Sequence, residues 1–343
     1  MTAAINLVKS GYEVTVYEKE EKIGGLGLCT PSVHMTPLDF EKMKDYIGFD
    51  VKPCFLELKR FTAYIYSKIV HFNPKYLFLT ERGFQKNSLD SYLFKLAQNV
   101  GVHFEFSHPL TSSMINSIPN NSIIAVGTYS GLGRQLNLRC IPFVHFDGYR
   151  EMQRNDAPFC VAYFDSFIGG YRYAYIAATD HLVFSEIDFD VHQSYKKYFT
   201  RFKKQLKEMN LEFPNWLLVK DYYPKQVALL KKIHGKTVVL AGAISGFHDP
   251  FFGFGVNSAL VSGKIAAMTV DSKKRGIQEF HRFTSELGGL FILSKLYNHI
   301  PLRHIVIPRL FRTATTSIPL IGKNLRCIPG FTHEDCFRIL TIE

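Results

Sequence analysis

The residues best suited to chemistry lie in a glycine-rich segment that follows a short apolar run. The run ends at Leu240, and four glycines and one proline punctuate the chain from there to Gly255. Where a buried strand leads through such a loop into a helix, backbone N–H groups at the helix start lack partners. They can bind a phosphate or an electron-rich ring edge. His248 and Asp249 lie in the same loop and could face a reacting centre, although a solvated His–Asp pair is the plainer alternative.

Elements that would position this loop can be predicted on both sides of it. Val238 to Leu240 indicates a buried parallel strand, and Asn257 to Met268 has the small-residue pattern of a closely packed helix. At the start of the chain, an apolar helix from Thr2 to Ser10 and a strand from Glu13 to Tyr17 lead to Glu18. An acid at the end of such a strand can accept hydrogen bonds from ribose hydroxyls.

Two further segments also combine a candidate binding residue with a predicted helix or strand. Arg82 precedes a predicted amphipathic helix from Asn87 to Asn99, which Asn87 or Ser88 would cap. A second predicted strand begins at Ile123 and runs into Gly127. An exposed arginine before an ordinary surface helix is the alternative for Arg82.

These motifs, taken in order, resemble the geranylgeranyl reductase family of the aromatic-hydroxylase-like FAD superfamily. The segment after Leu240 is similar to its second FAD motif, in which glycines surround a proline and lead into a Gly-x-Gly-[Ile/Val] helix start. The resemblance runs from Thr2 to about Met268. It implies an FAD cofactor and a sequence that starts inside the first helix, after the first strand and the GxGxxG loop.

The resemblance also implies a set of cofactor-binding positions. They are Glu18, Gly24, Gly25, Arg82, Gly127, Gly242, Ala243, Gly246, Pro250, Gly253, Gly255 and Val256. Ala243 stands where the family has an Asp that holds the ribityl hydroxyls, and Val126 also replaces an acid. Ribityl anchoring is therefore expected to differ from the family pattern.

Substrate-side residues follow from a β-rich middle and one cysteine. Tyr171, Tyr173 and Tyr175 alternate along a predicted strand and resemble the family's aromatic motif beside a lipid tunnel; plain sheet core is the alternative. Cys29 resembles a cysteine near the flavin in archaeal members, although a lone cysteine is usually a small buried hydrophobe. Cys29, His248 and Asp249 are the candidate catalytic residues.

Composition limits the remaining possibilities. The chain has 343 residues, a net charge of +11 and six scattered cysteines without metal-ligand spacing, which predicts no metal site and a reducing, cytoplasmic setting. No nucleic-acid motif is present. Residues 287–333 contain basic but no acidic side chains, which suits peripheral contact with an anionic membrane or a solvated basic rim.

The predicted fold is α/β with an antiparallel substrate sheet. We expect a Rossmann-like FAD-binding domain from residues 1–50, 80–138 and 236–272, and a substrate domain from 51–79 and 139–235. A C-terminal helical region would span 273–343.

Three functions compete. The first is reduction of C=C bonds in a prenyl chain by hydride transfer from reduced FAD, with NAD(P)H or ferredoxin as electron donor. The second is a flavin-dependent monooxygenase or halogenase of the same superfamily. The third is a non-catalytic lipid-binding relic that has lost FAD affinity.

Overall fold

The structure is a computed structural model of the whole chain. It describes residues 1–24, 31–65, 68–128, 130–164, 173–189, 195–248, 254–285, 331–333 and 335–343. The helices in these ranges are α1 (Thr2–Lys9), α2 (Phe40–Ile47), α3 (Leu89–Asn99), α4 (Ser112–Ser117), α5 (Ser130–Gln135), α6 (Tyr195–Glu208) and α7 (Val256–Asp271). Residues 273–285 are also helical.

Short parallel strands form the layer predicted to bind a nucleotide. Strand β1 (Thr15–Tyr17) pairs in parallel with β7 (His103–Glu105). Strand β8 (Ile123–Ile124) pairs in parallel with β15 (Lys236–Leu240), and β14 (Leu230–Ile233) adds to β15 in the antiparallel sense. The expected buried strand before the glycine-rich loop is therefore confirmed as β15.

Helices α1 and α7 pack against each other through small side chains. A Cβ at Gly263 of α7 would lie 2.8 Å from the Cβ of Thr2, closer than real Cβ contacts allow. The small-residue pattern of the second helix thus reflects its close approach to the first. This contact brings the opening of the chain beside the segment that follows Leu240.

The large sheet has the strand order β13-β9-β12-β11-β10-β4-β5-β16. Its strands are β4 (Arg60–Ile65), β5 (Lys68–Phe72), β9 (Cys140–Glu151), β10 (Phe159–Phe164), β11 (Ala174–Ala178), β12 (Leu182–Phe189), β13 (Trp216–Pro224) and β16 (Ile339–Ile342). Neighbours are antiparallel except β10 and β4, which are parallel. The prediction of an antiparallel sheet is thus confirmed, with the exception of one parallel pair of strands. This pair arises because β4 comes from an earlier part of the chain.

Of the predicted C-terminal helical region, residues 286–330 and 334 lie outside the described part of the chain, and the described remainder departs from the prediction at its end. Residues 273–285 are helical as predicted, but β16 adds to the edge of β5 as a strand. Its four side chains do not alternate strictly between partly buried and exposed positions. Hydrophobic periodicity therefore did not identify this segment as a strand. The available edge of β5 determines its conformation.

A third sheet joins segments assigned to different predicted domains. Strands β2 (Ser32–Pro37) and β3 (Phe55–Glu57) both pair with β6 (Leu77–Arg82) in the antiparallel sense. The hydroxyl of Tyr175 on β11 donates a hydrogen bond to the backbone oxygen of Val33 at 3.2 Å. The three-stranded sheet therefore packs on one face of the large sheet.

The opposite face of the large sheet is covered by α6. Phe202 and Leu206 of this helix are buried against Ile187 and Phe189 of β12, while its lysines are exposed. The spacing of these apolar side chains gives the helix one buried face. Helix α6 therefore shields this face of the sheet from solvent.

Candidate functional site

The loop after β15 is held by its own hydrogen bonds. Gly242 has φ +69°, and its N–H donates to the Ser262 hydroxyl at 2.9 Å. The N–H groups of Gly246 and His248 donate to Ala243 and Gly246 oxygens, and that of Phe247 to the Ser245 hydroxyl. The expectation that this bend leaves unpaired amides is therefore wrong for these four residues, because oxygen atoms of Ser262, Ala243, Gly246 and Ser245 accept from them.

Gly246 is required by close packing. Its φ is +70°, and a Cβ there would lie 2.6 Å from the backbone oxygen of Gln226. In contrast, a Cβ at Gly242 would meet nothing within 4 Å among the described residues. The loop is thus fixed on one side and open beside Gly242.

The N-terminus of α7 offers donors that the preceding bend does not. Gly255 is the N-cap residue, and no side chain of the described residues caps the helix. Helix N-termini carry a partial positive charge and unsatisfied N–H groups. Asn257, in the first turn, donates to the Pro37 oxygen at 2.6 Å, while its buried Oδ1 atom has no hydrogen-bond partner. Val256 and Gly255 are therefore the predicted residues best placed to contact an anion or a ring edge.

A second opening lies at the end of β8. Gly127 has φ +73°, and a Cβ there would also meet no described atom within 4 Å. The N–H of Ala241 donates to the Ile124 oxygen, so Gly127 and Gly242 follow neighbouring parallel strands at their carboxyl ends. This edge is where open α/β sheets bind ligands. Nearby Ala243 is partly buried and carries no polar group.

Predicted cofactor residues from other elements gather near the start of α1. Burial lowers the pKa of the Met1 amino group, while the charges of Asp90 and Glu18 act in the opposite direction, which places both acids near it. Asp90 is tied to Arg82, and a Cβ at Gly24 would lie 2.2 Å from the carbonyl carbon of Gly83. Glu18, Gly24 and Arg82 are thus brought to one region.

Arg82 is committed to a partner within the chain. Its Nε and Nη2 atoms each donate to an Asp90 oxygen at 2.8 Å, and the Gly83 N–H also donates to Asp90 at 2.9 Å. Burial acts to raise the pKa of Asp90, but the Arg82 charge and these hydrogen bonds hold it below its ordinary value. Arg82 could contact an anionic ligand only with the donors that remain.

His248 is neutral at physiological pH. Burial lowers its pKa to about 4, and its buried Nδ1 atom has no hydrogen-bond partner. Its ring lies 5.1 Å from that of Tyr223. A neutral imidazole with an unused nitrogen suits binding or orientation of a ligand more than donation of a proton at neutral pH.

Two of the three predicted tyrosines, Tyr173 and Tyr175, share one face of the large sheet. The rings of Tyr173 and Tyr175 lie 6.0 Å apart on the face of the large sheet that meets the three-stranded sheet. Tyr175 is only 8% exposed, and burial raises its pKa well above the ordinary value. Tyr173 is partly buried, so it is the more accessible of the two rings.

Several predicted residues lie outside the part of the chain that the structure describes. They are Gly25, Cys29, Tyr171, Asp249, Pro250 and Gly253. Their assigned roles stay predictions.

Sequence analysis missed a group of polar residues on the same face of the large sheet. His145 and Asp147 on β9 lie beside Glu186 and Asp188 on β12, and ligand atoms of His145, Glu186 and Asp188 lie within 4.8 Å of one another. No metal site was predicted because the two pairs are about forty residues apart in sequence, and only strand register joins them. The alternate spacing His-x-Asp and Glu-x-Asp within strands was the available signal.

His34 on β2 was also missed. Burial, followed by the Arg82 charge, lowers its pKa to about 3, and the His145 charge acts in the same direction. Its Nε2 atom is 2.8 Å from the Ser32 hydroxyl. His34 therefore lies between the Arg82 region and the polar group on the large sheet.

Within the described ranges, no helix combines the length and apolar composition needed to span a bilayer. The sequence matches no model of a known protein family, and no curated protein is detectably similar to it.

Solved structures, in contrast, share the fold over nearly the whole chain. A geranylgeranyl bacteriochlorophyll reductase-like protein of Thermoplasma acidophilum is 16% identical with a TM-score of 0.58, covering 93% of this chain and 95% of its own. A flavin-dependent brominase is 14% identical, with coverages of 92% and 95% and a TM-score of 0.60. An oxygenase of 2-methyl-3-hydroxypyridine-5-carboxylic acid is 13% identical, with coverages of 95% and 92% and a TM-score of 0.60. The chain therefore has the mixed α/β fold of these enzymes.

Proposed function

We propose that this chain is an FAD-dependent oxidoreductase that reduces C=C bonds in the prenyl chain of a lipid or lipid precursor. The observation that carries the proposal is the space beside Gly127 and Gly242 that no described residue fills, at the carboxyl ends of two neighbouring parallel strands. The uncapped start of α7 belongs to the same segment. The fold shared with a geranylgeranyl bacteriochlorophyll reductase-like protein supports it.

The chain's residues fit an FAD molecule in several respects. The unused Nδ1 of His248 and the unused Oδ1 of Asn257 are polar atoms that a ligand could satisfy. Glu18 would accept hydrogen bonds from the ribose hydroxyls of FAD. The helix start at Gly255 and Val256 would face the flavin ring or a phosphate of the cofactor. Gly25, Gly127, Gly242 and Gly253 would allow close backbone approach, with Arg82 beside the cofactor. Gly24, Gly246 and Pro250 would fix the shape of the loops that hold it. Ala243 contributes contact without a carboxylate.

When bound, FAD supplies hydride transfer. The residues of this chain would orient the substrate and exclude water. Tyr171, Tyr173 and Tyr175 would hold an apolar tail against the sheet, since aromatic side chains offer a large rigid apolar surface. His248, neutral at physiological pH, would orient rather than donate. Cys29 and Asp249 are the remaining candidates for supplying a proton.

The electron donor would be NAD(P)H or ferredoxin. A cytoplasmic protein with a substrate of this kind would contact the membrane at its periphery. The exposed basic side chains of α6 support such contact with anionic lipid: Lys196, Lys197, Lys203, Lys204 and Lys207.

The second candidate is a flavin-dependent monooxygenase or halogenase, which the brominase and oxygenase likenesses favour. The third is a lipid-binding relic without FAD, which Ala243 and the commitment of Arg82 to Asp90 favour.

The reductase proposal is tested by reducing the FAD-loaded protein anaerobically and adding a geranylgeranyl lipid. We expect reoxidation of the flavin only with the unsaturated lipid, and a product that has gained two hydrogens for each reduced bond. The matched saturated lipid is the control. Reoxidation by oxygen with a hydroxylated or halogenated product, and none with the lipid, would assign the second candidate instead.

A further inference from the structure

Four titratable side chains lie together on one face of the large sheet. Strands β9 and β12 are antiparallel, and their register places Asp147 opposite Glu186 and His145 opposite Asp188. Residues two apart on a strand share a face, so these side chains project to the same side. His145, Asp147 and Asp188 are 4%, 3% and 8% exposed, which removes them from bulk water.

Their distances suit the coordination of a single ion. Ligand atoms of His145, Glu186 and Asp188 all lie within 4.8 Å of one another. The Nδ1 of His145 is 2.7 Å from an Asp147 oxygen and 3.9 Å from a Glu186 oxygen. If His145 donates its Nδ1–H to Asp147, its Nε2 is left as the nitrogen that can bind a metal, and a carboxylate on the other ring nitrogen is the usual way such an imidazole is oriented.

Asp147 provides an independent indication of a ligand. One of its oxygens is used by His145, but the buried Oδ2 atom has no hydrogen-bond partner. The other oxygen of the same carboxylate contacts His145, so this Oδ2 atom lies beside the group. Buried polar atoms are normally satisfied, and one without a partner indicates an ion or water.

We infer that His145, Glu186 and Asp188 bind a divalent transition-metal ion, with Asp147 holding the imidazole in place. One imidazole nitrogen with carboxylate oxygens suits Mn²⁺, Fe²⁺ or Zn²⁺ better than Ca²⁺ or Mg²⁺. The ion links β9 to β12. This inference is independent of FAD and of the proposed reduction.

The test is equilibrium binding of Mn²⁺ to the full chain after removal of metals with a chelator. We expect about one bound Mn²⁺ per chain by loss of the free-ion electron paramagnetic resonance signal, displaceable by Zn²⁺ and not by Mg²⁺. A chain that binds no Mn²⁺ and no Zn²⁺ overturns the inference. A second result would also overturn it: an infrared band of a protonated carboxyl group shared between these acids in the metal-free protein, if the band stays unchanged when Mn²⁺ is added.

Variants assign the ligands. Glu186→Gln, which keeps size, should abolish binding, and Asp147→Asn should weaken it about 10- to 100-fold. Asp221→Asn is the matched control, because Asp221 is a buried acid of the same sheet that hydrogen-bonds Thr128 instead. Circular dichroism verifies that each variant folds. Unchanged affinity in folded Glu186→Gln protein would refute the assignment.

Discussion

Burial keeps two imidazoles, those of His34 and His248, in their neutral forms. The pKa is about 3 for His34 and about 4 for His248, against an ordinary 6.5. Sequence analysis selected His248 because it lies in the glycine-rich loop. It could not select His34, because the residues that surround that ring come from other strands.

The two histidines predict a pH dependence of stability. Between pH 6.5 and about 4 the unfolded chain binds protons on both imidazoles while the folded chain does not, so stability falls as pH falls. Each group contributes up to about 1.4 kcal/mol per pH unit in its window. The free energy of unfolding, measured with urea at several pH values, should change less steeply with pH in His34→Gln protein than in the wild type. His103→Gln, which changes an exposed histidine, should show the wild-type pH dependence. Parallel profiles for His34→Gln and the wild type would contradict the burial of this ring.

The ion pair of Arg82 gives a second prediction. Arg82→Ala leaves Asp90 partly buried without its main partner and should cost about 1–2 kcal/mol, a value reduced for partial exposure. The pKa of Asp90 is held below 3.8. The loss in the free energy of unfolding caused by Arg82→Ala should therefore have its full size above pH 3.8 and should disappear as Asp90 becomes protonated at lower pH. Arg154→Ala removes an ion pair whose acid, Asp156, is more exposed than Asp90, and it should cost about 0–1 kcal/mol. Equal losses in the two variants, measured by denaturant unfolding, would count against a structural role for the Arg82 pair.

At the scale of elements, local sequence predicts much of what is observed. The Ser88 hydroxyl accepts from the Ser91 N–H and caps α3, as one of the two predicted cap residues. The β-rich run that follows the predicted tyrosines is divided by a turn near Asp180 into β11 and β12. That turn lies between two apolar runs and lacks glycine and proline, so its position depends on pairing within the sheet.

The turn after β15 predicts a difference between two glycines. Gly246→Ala combines a left-handed backbone with a Cβ at 2.6 Å from the Gln226 oxygen, and should destabilise the protein by roughly 2–4 kcal/mol. Gly235→Ala has φ +80° but open space around its Cβ, so it should lose only about 1–2 kcal/mol. The comparison is made by urea unfolding. If Gly235→Ala were the more damaging variant, the packing of the loop on Gln226 would be described incorrectly.

At the scale of the whole molecule, the sequence predicts the fold class but not which strands are neighbours. The alternation of helix, strand and glycine loop identifies the parallel layer around β15. The parallel contact of β10 with β4 joins residues about a hundred positions apart, and β16 completes an edge from the end of the chain. Such long-range pairings depend on the register and edges of the assembled sheet, which local patterns do not contain. The polar group at His145 was missed for the same reason.

Equilibrium titration of the full chain with FAD, followed by flavin fluorescence, tests the central claim most directly. We expect saturable binding of one FAD per chain, weakened roughly tenfold by Arg82→Ala and unchanged by Arg154→Ala, since a lost charged hydrogen bond costs about 1.5 kcal/mol or more. A folded protein that binds no FAD at saturating concentration would contradict the flavoenzyme proposal.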